Sequence, residues 1–140
     1  NGLAGFRMKG PEALARQLMD MASLDALAPK MIEDALPILE GKLQEAVRQE
    51  ANKGYATGEL AASIKKGKAK KNQYGHFGMV CPTGKDKKGV RNMEKLAYLN
   101  YGTPKQEARP VVARATAQAQ QAVAERMQET FRQGVEGAWR

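Results

Sequence analysis

The sequence predicts an α+β fold, on three observations. Ala, Leu, Met, Gln and Glu with three-and-four apolar spacing fill the first third of the 140-residue chain, β-branched, aromatic and glycine residues with alternation mark its middle, and helical spacing returns after Pro110. The expected arrangement is N-terminal helices, a small antiparallel β-sheet with a Lys-rich hairpin loop, and a long C-terminal helix packed on the sheet. A length of 140 residues suits one domain spanning 1–140. The first ten residues are expected to be disordered, or a remnant of expression or processing.

Two N-terminal helical stretches are expected, from Glu12 to about Ala22 and from Leu27 to about Ala51. In the second, Ile32, Ala35, Leu36, Leu39, Leu43, Ala46 and Val47 form one apolar stripe, while Glu33, Asp34, Glu40 and Glu45 occupy the opposite, solvated face. Pro11 and Pro29 suit first-turn positions, whereas Pro37 lies inside the periodic stretch and should kink or split it. Thr57 is placed to cap a short helical turn holding Leu60 and Ile64.

Strands are expected from Tyr74 to Cys81 and from Glu94 to Tyr101. The second has apolar side chains on both faces, which implies a central or interfacial strand. Pro82 to Asn92, with two glycines and five charged residues, reads as a mobile basic loop between them. The last helix should run from Pro110 to about Gln133, with Val112, Ala115, Ala119, Val123, Met127 and Phe131 facing inward.

The net charge of +8 is local. Lys65, Lys66, Lys68, Lys70, Lys71, Lys85, Lys87, Lys88, Arg91 and Lys95 face only Asp86 and Glu94 in the same segment, and the remaining 13 bases balance 13 acids. A uniformly cationic, histone-like chain is therefore excluded. No apolar run approaches the roughly 20 residues of a membrane span, and no charged-then-apolar leader opens the chain, so a soluble intracellular protein without membrane contact is expected. Cys81, the one cysteine, can form no intrachain disulfide.

Enzymatic chemistry finds no foothold in these residues, and neither catalytic, cofactor-binding nor metal-binding positions are assigned. Gly84-Lys85 resembles the end of a phosphate loop, but five residues rather than four separate Gly78 from Gly84 and Asp86 stands where Ser or Thr would hold magnesium. His76 and Cys81 are five apart, on opposite faces of a continuous strand. The lysines, with Tyr74 and Phe77 among them, suit diffuse phosphate attraction better than base readout, because Lys outnumbers Arg nine to one in the segment. Lys65, Lys66, Lys68, Lys70, Lys71, Lys85, Lys87, Lys88 and Arg91 are accordingly candidates for contact with DNA or an acidic partner.

Two stretches carry a family resemblance. The first, LPILEGKLQEAVRQEANKGYATGELAASIK from Leu36 to Lys65, is an amphipathic helix followed by a turn with Thr57, Gly58, Leu60, Ser63 and Ile64. The second, LAYLNYGTPKQEARPVVARA from Leu96 to Ala115, reads as a strand ending in Tyr101-Gly102-Thr103, then a short loop, Ala108-Arg109-Pro110 and a helix, the order in which the family carries its strand, Tyr-Gly-Thr and Ala-Arg-Pro. Together they resemble the tail-component, or tail-completion, family of long-tailed bacteriophages and prophages over about residues 12–132. Asn100 replaces the usual acid before Tyr-Gly-Thr, Glu107 replaces the first proline of Pro-Ala-Arg-Pro, Lys53-Gly54-Tyr55 replaces Ala-Pro, and Val111-Val112 replaces an aromatic-led apolar pair.

The resemblance implies a structural virion protein acting in tail completion or head-tail joining, located in the tail or head-tail junction and in the host cytoplasm during assembly. It also implies a homo-oligomeric ring, sixfold to match the tail, meeting tail terminator, tail tube and head-tail connector proteins. No catalysis or cofactor is required, and DNA contact would be nonspecific. The alternative is a small basic nucleic-acid-binding module. Gly58 and Gly102 are expected to adopt turn conformations closed to other residues, and Thr57 and Thr103 to satisfy free turn amides. Arg109, a cation at a helix start, is expected to find an acid.

Overall fold

The computed structural model describes the backbone of residues 11–138 and the side chains of residues 22–137. The expectation for residues 1–10 lies outside the described residues.

A single 42-residue helix, α1 (Pro11–Asn52), replaces the two expected N-terminal helices. It runs unbroken through Pro29 and Pro37, although an interior proline costs about 3 kcal/mol. Pro37 is exposed, while Met31, Ala35, Leu36, Leu43, Ala46 and Val47 bury the opposite side. Packing along that side outweighs the local penalty. After Asn52 the chain turns at Gly54, whose φ of +89° is left-handed. Next comes α2 (Gly58–Ser63), with Thr57 Oγ1 accepting from the Leu60 amide at 3.3 Å as its N-cap.

The middle of the chain forms one two-stranded antiparallel ribbon. β1 (Ile64–Lys66) pairs with β4 (Val80–Pro82), and β2 (Lys70–Asn72) pairs with β3 (Gly75–Phe77). Lys65, Lys66, Lys70 and Lys71, four of the candidate contact lysines, thus lie in strands. The expected Tyr74–Cys81 strand is interrupted at Gly78 and Met79. Three residues, 67–69, oppose these two, which makes a β-bulge bridged by the Gly67 amide donating to the Met79 carbonyl at 2.8 Å.

The ribbon lies along α1 because α1 occupies its open hydrogen-bonding groups. Gln44 Nε2 donates to the Ile64 carbonyl (2.9 Å), the Lys66 amide donates to Glu40 (2.7 Å) and the Ala69 amide donates to Glu33 (3.2 Å). Contact is close at Gly78, where a Cβ would come within 2.5 Å of Ile32 Cγ2. Glu33 and Glu40, expected on a solvated face, instead cap an otherwise open strand edge.

Residues 94–101, expected as a strand, belong to a helix, α3 (Asn92–Tyr101). Apolar residues on both faces fit either period, and the burial decides for the helix: Leu96 and Leu99, three apart, are buried while Tyr98 and Tyr101 are exposed. Met, Glu, Lys, Leu and Ala favour it locally. The last helix, α4 (Val111–Ala138), is longer than expected. Val111 rather than Val112 enters the core, with Ala115 and Ala119 following, and Val112 is exposed; Val123, Met127 and Phe131 are half-buried.

α4 runs antiparallel to α1, from Arg114 beside Glu50 to Gly134 beside Leu27, where a Cβ would meet Leu27 at 2.5 Å. Nearer the Gly134 end, the Thr130 hydroxyl donates to Asp34 (2.8 Å), with Arg126 also near. That hydrogen bond, with smaller help from Lys30 and Arg126, outweighs desolvation and holds the Asp34 carboxyl below its ordinary pKa. Val111 and Ala115 join Leu43, Val47, Leu60, Ala61, Ile64, Leu96 and Leu99 in one core cluster, against which Val80 of β4 also packs. The α+β class with terminal helices around a small antiparallel sheet is thus as the sequence predicted.

Candidate assembly corner and basic surfaces

The two motif stretches meet. In the first, the Ser63 hydroxyl donates to the Leu60 carbonyl (2.7 Å), and the Ser63 carbonyl accepts from both the amide and the hydroxyl of Thr83 at 2.8 Å. Leu60 and Ile64 are driven into the core. Gly58 is not left-handed, contrary to expectation; it opens a helical turn in which any residue could sit, and Gly54 makes the chain reversal instead.

In the second stretch Gly102 does have the expected role. Its φ is +82°, its amide donates to the Tyr98 carbonyl to close α3, and a Cβ there would lie 2.8 Å from the Ala108 amide nitrogen. Thr103 and Gln106 bridge backbone to backbone, and Thr103 Oγ1 accepts from the Lys105 amide (3.2 Å). The Arg109 amide then donates to the Leu99 carbonyl (2.8 Å), returning the loop to α3. Ala108 and Pro110 are exposed on the approach to α4. Asn100, standing where the family has an acid, accepts from the Val112 amide (3.1 Å) and so satisfies a free N–H at the start of α4.

Glu50 joins the stretches. Its side chain is fully buried at the end of α1, Arg109 donates to one carboxylate oxygen at 3.3 Å and Arg114 to the other at 3.1 Å, and Lys53 lies 3.6 Å away. Arg109 also stacks over Tyr55, its guanidinium carbon 3.4 Å from the ring centroid. The expectation that Arg109 pairs with an acid is met within the subunit. Burial opposes ionisation of Glu50, but the Arg114 hydrogen bond and the charges of Lys53, Arg109 and Arg114 outweigh it, so the carboxyl titrates below its ordinary range. Sequence reasoning missed Glu50, although a signal existed: after Leu43, Ala46 and Val47 it falls next on the buried stripe, a lone acid where an apolar residue belongs.

Beside this junction is an open groove of about 240 Å³ between Tyr55, Thr57 and Leu60 on one side and Lys95, Tyr98 and Leu99 on the other. Tyr55 and Tyr98 in its walls are half-exposed, and Met93 and Tyr101 at the two ends of α3 are exposed as well.

The basic residues separate into two groups. Lys65, Lys66, Lys68, Lys70 and Lys71 are exposed on the ribbon. Lys71 lies 3.7 Å from Asp25, which also bonds His76 at 3.0 Å; the His76 bond and then the Lys71 charge lower the Asp25 pKa. Lys85, Lys87, Lys88 and Arg91 lie beyond the other end of the ribbon, in the segment expected to be a mobile loop. Its centre is a bonded turn in which Asp86 accepts from the Lys88 and Val90 amides, both at 2.9 Å, and pairs with Lys95; the Lys95 bond leads in lowering the Asp86 pKa. Lys85 bridges to Arg91, and the Asn92 side chain donates to the Thr83 carbonyl (2.7 Å).

His76 and Cys81 are separated as expected, His76 turned to Asp25 and Cys81 paired with Lys65 across the ribbon. Among the described residues no three His, Cys, Asp or Glu side chains are grouped to hold a metal ion, and no helix is long and apolar enough to cross a membrane. Compared with family models, curated proteins and solved structures, the chain matches none of them.

Proposed function

We propose that this chain is a structural virion protein of a long-tailed phage or prophage that acts in tail completion or head-tail joining. One observation carries the reading. The two stretches that resemble the tail-completion family, separated by the 30 residues 66–95, close on each other through Glu50, Arg109 and Tyr55 into one bonded corner. Of the three, Arg109 belongs to the Ala-Arg-Pro motif, while Glu50 and Tyr55 lie in the helix and linker that lead into the Thr57-Gly58 turn. Tyr55, Tyr98 and the groove between them give the corner an apolar surface on which a neighbouring subunit can dock.

The subunit would act through shape, as a wedge in a homo-oligomeric ring of sixfold symmetry, with tail terminator and tail tube on one side and connector proteins on the other. It would work without a catalytic step or cofactor, in the host cytoplasm during assembly and in the virion afterwards. Electron microscopy of the concentrated protein tests this: closed rings of uniform subunit number are expected, and a protein that stays dispersed or forms open filaments at every concentration contradicts it. A small basic nucleic-acid-binding module is the second reading, favoured by the exposed lysines of the ribbon.

A further inference from the structure

The ribbon's register separates its lysines. In β1, Ile64 is fully buried and Lys65 exposed, so Lys65 and its partner Cys81 occupy the outward face while Lys66 stands at the rim of the inward one. Strict alternation from Lys65 would then place Lys71 outward and Lys70 inward. The bulge at 67–69 adds one residue on this strand and reverses that assignment: Lys71 pairs across the ribbon with His76, and both turn to Asp25 on α1. Lys70, opposite Phe77, is thereby outward with Lys65, and Lys68 is exposed in the bulge between them.

None of Lys65, Lys68 and Lys70 lies within ion-pair distance of an acid among the described residues. The acids beneath are engaged otherwise, Glu33 and Glu40 with backbone amides and Asp25 with His76 and Lys71. The result is a ribbon whose underside is tied to the carboxylates of α1 and whose outer face is cationic. Along the unbulged strand, from Cys81 opposite Lys65 to Phe77 opposite Lys70, four residues extend roughly 13 Å at about 3.3 Å per residue. Duplex DNA presents about eight phosphates over that length of axis, at one charge per roughly 1.7 Å.

We propose that the outward face of the ribbon, Lys65, Lys68 and Lys70, is a sequence-independent contact surface for the phosphate backbone of duplex DNA. This deepens the nucleic-acid reading of the basic segment and does not depend on the tail reading. Two features favour DNA over an acidic protein. Lysine is depleted from protein interfaces, whose centres are apolar and aromatic, and such residues gather instead at the Tyr55–Tyr98 corner. Flexible lysines without a bidentate arginine suit phosphate attraction without base readout. The other candidate group, Lys85, Lys87, Lys88 and Arg91, lies in a separate loop where Asp86 pairs with Lys95.

The test is fluorescence anisotropy with a labelled random-sequence duplex of about 30 base pairs, titrated with the full chain between about 50 and 200 mM salt. Wild type is expected to bind with an affinity that falls steeply and linearly in log–log form. The triple variant Lys65→Gln/Lys68→Gln/Lys70→Gln, with an unchanged melting temperature, should lose slope by about 2.7, at about 0.9 per phosphate contact. Lys85→Gln/Lys87→Gln/Lys88→Gln should change the slope by less than half as much. No binding by wild type at 50 mM salt, a ribbon variant that binds as wild type does, or equal affinity for poly-glutamate would each overturn the proposal; the last would reassign the face to an acidic protein. Rings formed by a ribbon variant that no longer binds DNA would support both this surface and its separation from assembly.

Discussion

Ile64→Ala is expected to destabilise the fold by about 3 kcal/mol, within the roughly 2–5 kcal/mol seen when a buried Leu, Ile or Met is cut to Ala. Ile64 is 0% exposed and belongs to the cluster shared by α1, α2, α3 and α4, so its removal opens a cavity that no single element can close by shifting. For a chain of this size that is a fall of roughly 10 °C in Tm. Tyr74, 87% exposed at the ribbon tip, is the control, and Tyr74→Ala should leave Tm unchanged. Thermal unfolding followed by circular dichroism checks both. Equal melting of the Ile64 and Tyr74 variants would mean that the ribbon is not anchored in the core as described.

Glu50→Ala is expected to cost about 2–4 kcal/mol, because it removes two charge-assisted hydrogen bonds and leaves Arg109 and Arg114 without their acid. The loss stays below the extreme for buried ion pairs, since both arginines retain partial access to water. Glu50 also makes stability depend on pH. Its carboxyl is held below the ordinary value of 4.5, so its contribution is fully present above that value and is lost as pH falls through the lower folded-state value. Urea unfolding of wild type and Glu50→Gln at pH 7 and pH 3 should give a stability gap that narrows at the lower pH. A gap independent of pH would contradict the ionised pairing.

Which parts of this molecule were legible in its sequence follows from the range of the forces involved. Thr57 as a helix cap and Gly102 as a left-handed turn could be read locally, because a cap and a positive φ are decided within a few residues. Arg109 could be read halfway: a cation at a helix start asks for an acid, but the identity of Glu50, 59 residues away, depends on the tertiary path. The helix at 92–101 was misread because Leu96, Ala97, Tyr98, Leu99 and Tyr101 satisfy both periods, and only contact with the core selects Leu96 and Leu99. Proline arguments failed at α1 for a similar reason. A cost of about 3 kcal/mol at Pro37 is real locally, yet packing along both the ribbon and α4 exceeds it.

The basic segment shows the same limit in its functional form. Composition located the excess charge between Lys65 and Lys95, but it could not separate Lys71, which is held by Asp25, from Lys70, which is free of acids among the described residues. A bulge of one residue makes that difference. Likewise the acids of α1 were assigned to water because the apolar stripe alone defined an inside. The ribbon covers a second side of α1, and Glu33 and Glu40 fall beneath it.

Under the proposed function this chain's gene belongs to a phage or prophage, and inactivating it there, with particles from the lysate counted by electron microscopy, is the most direct test. The account predicts DNA-filled heads and separate tails in place of joined virions, with joining restored when the intact chain is supplied in trans. Normal numbers of joined, infectious particles from the inactivated phage would contradict it.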